Sequence, residues 1–169
     1  LERLPAVRAN RTFIGGSDSL FSQTVEYALR ASVYLADQSP NAKTTDQVAK
    51  VTLVPAAYLS KVLQLLARAG IVRSQRGVKG GFQLARAPHE ISILDIVNAV
   101  DPIRRIQSCP LDLPSHGDLL CALHRRLDAA LLSVEDSFRS TSLAEILAEP
   151  KGSIPLCNGT REEKATKTG

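Results

Sequence analysis

The stretch TTDQVAKVTLVPAAYLSKVLQLLARAGIVRSQRGVKGGFQLAR, residues 44–86, decides the fold. It reads as two short helices, a turn and a glycine-tipped hairpin. Between Gln47 and His89 there is no Asp or Glu, yet Lys50, Lys61, Arg68, Arg73, Arg76, Lys79 and Arg86 fall there. Elsewhere acids and bases are mixed. An acid-free basic module inside a nearly balanced chain is an electrostatic footprint for a polyanion.

Pro55 fits the first turn of the second helix, where a missing N–H costs nothing. Leu59, Val62, Leu63 and Leu66 recur at i, i+3, i+4, i+7, an apolar stripe for a core. Ala57, Ser60, Lys61 and Gln64 lie off that stripe, and Gly70 stops the helix behind Arg68. Such a face suits a major groove: small residues allow close approach, while Ser, Gln and Lys offer hydrogen bonds to base edges. Taken alone it is also an ordinary solvated helix face. Its context favours the groove. The preceding helix starts at Thr44 or Thr45, with Gln47 near its third position and Val48 and Ala49 inward. After Gly70 the pattern becomes a strand over 71–74. A turn over Arg76, Gly77, Val78, Lys79, Gly80 and Gly81 follows, and Phe82, Gln83 and Leu84 return. Arg76 and Lys79 are free to reach a phosphate backbone or a minor groove. Helix-turn-helix plus basic hairpin is a winged helix. A nucleotide phosphate loop needs a strand–GxxxxGK[ST]–helix order that the chain lacks.

The chain has 169 residues, enough for one domain with tails, and 44% hydrophobic content supports a modest core. Aromatics are only 4%, so aliphatic packing must dominate. The net charge of +4 is mild, so the clustering of bases matters more than their total. No apolar run reaches membrane-spanning length and residues 1–19 lack the apolar core of a signal peptide, so a cytoplasmic protein is expected. Three Cys, an odd number, argue against a disulfide framework and for reactive thiols or metal ligands.

In order, residues 1–19 read as a disordered basic extension, and 20–101 as the winged-helix DNA-binding domain. Within it, 21–37 is a helix capped by Ser22. Val25, Leu29, Val33 and Ala36 are its apolar face, and Glu26 and Arg30 form an i, i+4 ion pair worth about 0.3–0.5 kcal/mol. A later short helix has Ser92 as cap, Asp95 at its third position, and Ile93, Ile96, Val97 and Val100 inward. Residues 102–118 lack a helical period and read as a sensor loop containing Cys109. Residues 119–149 hold a long dimerisation helix and a short final helix begun by Ser142 and Glu145. Leu120, Leu123, Leu127, Leu131, Val134 and Phe138 form an a/d seam that needs a mate; intramolecular packing could supply one, but a two-fold partner helix is better. Paired recognition helices then match a palindromic duplex. Residues 150–169, with Cys157, read as a flexible tail. The fold class is mainly α with a small β-hairpin wing: a winged helix-turn-helix plus a long dimerisation helix.

The run Glu26, Tyr27, Ala28, Leu29, Arg30, then Tyr58–Leu59, Ala69 to Val72, Arg76–Gly77, Gly80 to Phe82, Leu84 to Arg86, and Ile96 to Val100 resembles the IscR/NsrR/CymR family of bacterial winged-helix regulators. The resemblance covers residues 20–147. It implies a homodimeric, repressor-like transcription factor, not an enzyme, with a long crossing helix. It also implies that Thr45, Tyr58, Ser60, Lys61 and Gln64 lie near DNA, with Arg76 and Lys79 of the wing on the backbone or minor groove. Family members sense redox state, nitric oxide or iron–sulfur status through the loop before the long helix. Iron–sulfur members place three Cys there at six-residue intervals, sometimes with a later His. In this chain Cys109 and Cys121 match the outer positions, Ser115 replaces the middle Cys, and His124 follows. An acidic residue of the partner's first helix completes some clusters, and Glu26 matches it. Cys109, Cys121, His124 and Glu26 are thus a candidate [2Fe–2S] ligand set, with Cys109, Cys121 and His124 the metal-binding subset.

The residues support part of this independently. Cys121 and His124 lie at i, i+3 near a helix start and point to one side. Three readings stay open: a metal or cluster site, with zinc as a lesser form; a disulfide switch between Cys109 and Cys121; and inert, packed Cys. A cofactor-free regulator governed by a thiol switch or a partner protein is the alternative function. A thiol enzyme built on Cys121 and His124 lacks an orienting third group or an oxyanion device.

Overall fold

The computed structural model describes residues 21–77, 80–108 and 120–149. Helix α1 (Gln23–Asp37) is the central element and packs against every other helix group of the amino-terminal body. Ser22 caps it, its hydroxyl accepting from the Val25 amide at 3.4 Å. Ala28 and Ala31 on its inner face are fully buried. Their small side chains let neighbouring backbones approach closely, which an aromatic-poor core needs.

Helices α2 (Thr45–Thr52) and α3 (Ala56–Arg68) are related by a bend of 111°, within the range of a helix-turn-helix pair. A complete capping box opens α2: the Gln47 amide donates to Thr44 Oγ1, and Gln47 Oε1 accepts from the Thr44 amide. Leu53 in the intervening turn adopts φ +57°. Leu59, Val62, Leu63 and Leu66 of α3 are all buried, as their spacing predicts. At the end of α3 the Ile71 amide bonds the Leu66 carbonyl at 2.9 Å and the Gly70 amide bonds that of Ala67 at 3.1 Å. This double closure requires a left-handed residue, and Gly70 has φ +71°. It also uses the Ile71 amide, so strand β1 spans Val72–Gln75 and starts one residue later than the hydrophobic pattern indicates.

Strand β2 (Gly81–Leu84) pairs antiparallel with β1, Val72 opposite Leu84 and Gln75 opposite Gly81. Lys43 adds a bridge on the far side: its amide donates to the Phe82 carbonyl and its carbonyl accepts from the Phe82 amide, at 2.9 and 2.8 Å. The wing is thereby sewn to the residues just before α2. Helix α4 (Ile93–Val100) is capped by Ser92 and Asp95. Its buried residues are Leu94, Ile96 and Val97, while Ile93 and Val100 are only half-buried, so the inward face is rotated from the expected one. Helix α6 (Leu143–Ala148) carries the Ser142–Glu145 capping box and buries Leu143 completely. The starts of α4 and α6 are joined by Ile93 N–H to Thr141 O and Leu143 N–H to Ile91 O, both 2.9 Å.

Between them runs α5 (Ala122–Ser140), the longest helix, with no fully buried residue. It begins at Ala122 rather than Leu119 because Cys121 is its extended N-cap, at φ −63° and ψ 164°. The a/d seam divides along its length. The Phe138 ring packs, tilted, with its centroid 5.2 Å from that of Phe21, and Leu131 and Val134 line a groove with Phe21, Val25 and Ile103. Leu123 and Leu127 instead remain 64% and 47% exposed. No single described helix is long and apolar enough to cross a membrane. The extension and tail expected at either end lie outside the described residues.

Candidate nucleic-acid interface

Helix α3 turns one ridge to the core and the opposite ridge outward. Ala57, Lys61, Gln64 and Arg68, at i, i+4, i+7 and i+11, are all exposed. Ser60 lies on the flank, half-buried, its hydroxyl donating to the Ala56 carbonyl at 3.0 Å. Tyr58 lies on the other flank, 39% exposed. Its hydroxyl shares a 2.9 Å hydrogen bond with Thr24 Oγ1, and its ring meets Tyr27 edge-on at 5.4 Å. Tyr58 therefore fastens α3 to the start of α1 as well as facing outward. Thr45 is the first residue of α2 and half-buried. Beside it, a cleft of about 420 Å³ separates the start of α2 from the wing, lined by Asn41, Thr44, Gln47, Gln75 and Gly80.

Arg73 and Arg76 of the hairpin are exposed, and Lys79 lies outside the described residues. Among the described residues Lys50, Lys61, Arg68 and Arg76 make no ion pair, whereas Arg86 bonds the Glu90 carbonyl at 2.9 Å and reaches Asp95 at 3.5 Å. Arg86 is thus a brace between the wing and α4. Bases without an ion pair thus gather on α2, α3 and the wing, which fits a polyanion surface, although Arg125 and Arg126 of α5 are exposed and without an ion pair as well.

At the start of α5, Cys121 Sγ and His124 Nδ1 are 3.3 Å apart. Two such ligands on one tetrahedral iron or zinc ion would be about 3.6 Å apart from the usual bond lengths, so the pair fits two coordination positions. Glu26 lies elsewhere, on α1, ion-paired with Arg30 at 2.8 Å as expected. Cys109, Ser115 and His116 lie outside the described residues. Among the described residues no three His, Cys, Asp or Glu side chains come together as a metal site.

Arg105 straps the segment after α4 onto α5. Its Nε donates to Asp128 Oδ1 at 2.7 Å, the Ile106 amide donates to the same oxygen at 2.9 Å, and Glu135 lies 3.6 Å from the guanidinium. Arg105 and then Ile106 hold the Asp128 carboxyl below its ordinary range. The only sequence signal is a pair of acids, Asp128 and Glu135, two turns apart beside an apolar seam.

The family model named Rrf2 and described as an iron-dependent transcriptional regulator matches residues 21–149. A protein of Aquifex aeolicus, provisionally assigned as a helix-turn-helix-type transcriptional regulator, is 31% identical over 81% of this chain and 98% of its own length. One from Mycobacterium tuberculosis with the same assignment is 35% identical over 88% of this chain and 94% of its own. Among solved structures, CymR, the global cysteine regulator of B. subtilis, superposes with a TM-score of 0.65 at 22% identity, over 78% of this chain and 98% of that one. IscR of T. potens does so with a TM-score of 0.64 at 22% identity, over 82% of this chain and 97% of its own. These likenesses confirm the winged-helix fold.

Proposed function

The chain belongs to the Rrf2 family of DNA-binding transcriptional regulators, which are not enzymes, and from that premise we propose that it acts in the cytoplasm as a homodimer whose grip on a palindromic operator answers to its thiols. Lys61 and Gln64 of α3 reach base edges, flanked by Ser60 and Tyr58, while Arg76 and Lys79 hold phosphates and Thr45 meets the backbone at the start of α2. Leu123 and Leu127 support the two-fold partner: two large exposed leucines one turn apart continue the seam that Leu131 and Phe138 partly cover within the chain. Paired seams would remove them from water at about 1.5–3 kcal/mol per fully buried side chain.

The observation that carries the sensing reading is the 3.3 Å approach of Cys121 and His124 at the first turn of α5. We assign Cys121, His124 and Cys109, with Glu26 from a second copy, as the residues that would hold an iron–sulfur cluster. Such a group would supply one-electron redox chemistry and reactivity toward oxidants. The chain's own part is mechanical. Cys121 caps α5, and Arg105 ties the preceding segment to Asp128 two turns further along. A rearrangement at Cys121 is therefore delivered to the helix that sets the spacing of the two α3 helices. Anaerobically purified protein is expected to contain iron and sulfide and to absorb visible light, and Cys121→Ser to lose that absorbance. Colourless, iron-free wild-type protein would turn the reading to a disulfide between Cys109 and Cys121. A full chromophore in Cys121→Ser would remove Cys121 from the ligand set.

A further inference from the structure

The outer surface of α3 divides into side chains already engaged and side chains that are not. The Tyr58 hydroxyl is shared with Thr24, and the Ser60 proton is given to the Ala56 carbonyl. What projects clear of the body, opposite the buried leucines, is the line of Ala57, Lys61, Gln64 and Arg68. The first three members each have one major-groove chemistry. Ala57 neither donates nor accepts; the base feature it can favour is the thymine methyl, since a polar base edge pressed against it loses water without return. Lys61 only donates, which suits the adjacent O6 and N7 acceptors of guanine. Gln64 donates and accepts, which suits N6 and N7 of adenine. There is no Asp or Glu in α3 to receive the cytosine amino group. Arg68, in the last turn, ends the line and is left for a phosphate.

We infer that α3 selects a half-site presenting a thymine methyl to Ala57, a guanine to Lys61 and an adenine to Gln64. The inference rests on the reading of α3 as the base-contacting helix. From Ala57 to Gln64 the axis advances about 10 Å, roughly three base-pair steps, so the three bases fall within one short run. Ser60 shows only oxygen lone pairs, because its proton is committed; it tolerates an adenine or cytosine amino group on its flank and adds little selection.

Selection of full-chain protein on a randomised duplex library tests the assignment, followed by anisotropy titrations on the selected duplex. The expected half-site carries thymine, guanine and adenine within about four base pairs. Deoxyuridine in place of that thymine, which removes only the methyl, should weaken binding about fourfold. Ala57→Ser should erase that difference. Gln64→Ala should flatten the adenine preference by about tenfold or more, with the other positions unchanged. If a specific site is selected but deoxyuridine binds equally well and Gln64→Ala keeps the adenine preference, the base assignment falls while α3 remains the reading helix. If no sequence is enriched and Lys61→Ala and Gln64→Ala bind like wild type, the reading of α3 falls, and the assignment with it.

Discussion

Two glycines fix the module's geometry, for different reasons. At Gly70 only the left-handed φ matters, since a Cβ there would meet nothing within 4 Å. At Gly81, φ is +150° and a Cβ would also strike the Lys43 carbonyl. That carbonyl is half of the bridge holding the wing to the start of α2. Gly70→Ala should therefore cost about 1 kcal/mol. Gly81→Ala should cost more, roughly 1–3 kcal/mol, and lower DNA affinity as the wing shifts. Urea midpoints of the two variants check the order; equal losses would deny the close approach at Lys43. The glycines could be read from sequence as turn formers. That Gly81 is demanded by the backbone of Lys43, nearly forty residues earlier, could not, because only the folded chain brings the two together.

Among elements, those whose reasons are local were readable in advance. Ser22, Thr44 with Gln47, Ser92 with Asp95, and Ser142 with Glu145 all cap the helices their spacing indicates. The apolar stripe of α3 is buried as its period requires. The start of α5 at Ala122 differs from the expected Leu119 for a local reason, the extended backbone of Cys121; the rotation of α4 toward Leu94 and the Arg105 strap depend on distant partners and have no local signal. The strap makes a prediction about acid. Asp128 titrates below its ordinary value near 3.8 because Arg105 and Ile106 bond its charged form. A folded-state pKa below the unfolded one contributes stability that is present above the unfolded value and lost as pH falls through the folded one. Glu145, held by the Ser142 amide and hydroxyl, acts in the same direction from 4.5 downward. Acid unfolding of wild type should therefore begin as pH drops below about 4, and Asp128→Asn should be less stable at neutral pH with a shallower acid dependence. An Asp128→Asn acid profile parallel to that of wild type would deny the strap.

Across the whole molecule, charge and symmetry meet. Bases without an ion pair gather on α2, α3 and the wing, and the exposed pair Leu123 and Leu127 lies on α5. One surface suits duplex phosphates and the other suits a second copy. Of the proposed site, the outward face of α3 was legible in the sequence because amphipathic spacing reveals which residues are left exposed. Of the proposed sensor, only the pair Cys121 and His124 is brought together, because the remaining expected ligands lie outside the described residues or on another helix. Leu123→Asp with Leu127→Asp should leave each chain folded yet monomeric in sedimentation, and weaken operator binding at least a hundredfold by losing the second recognition helix. The most direct measurement is titration of a two-fold symmetric duplex with full-chain protein over a range of salt concentrations, with stoichiometry read in parallel. Two chains per duplex, with log affinity falling steeply and linearly against log salt, is the predicted result; one chain per duplex with salt-independent binding would contradict it.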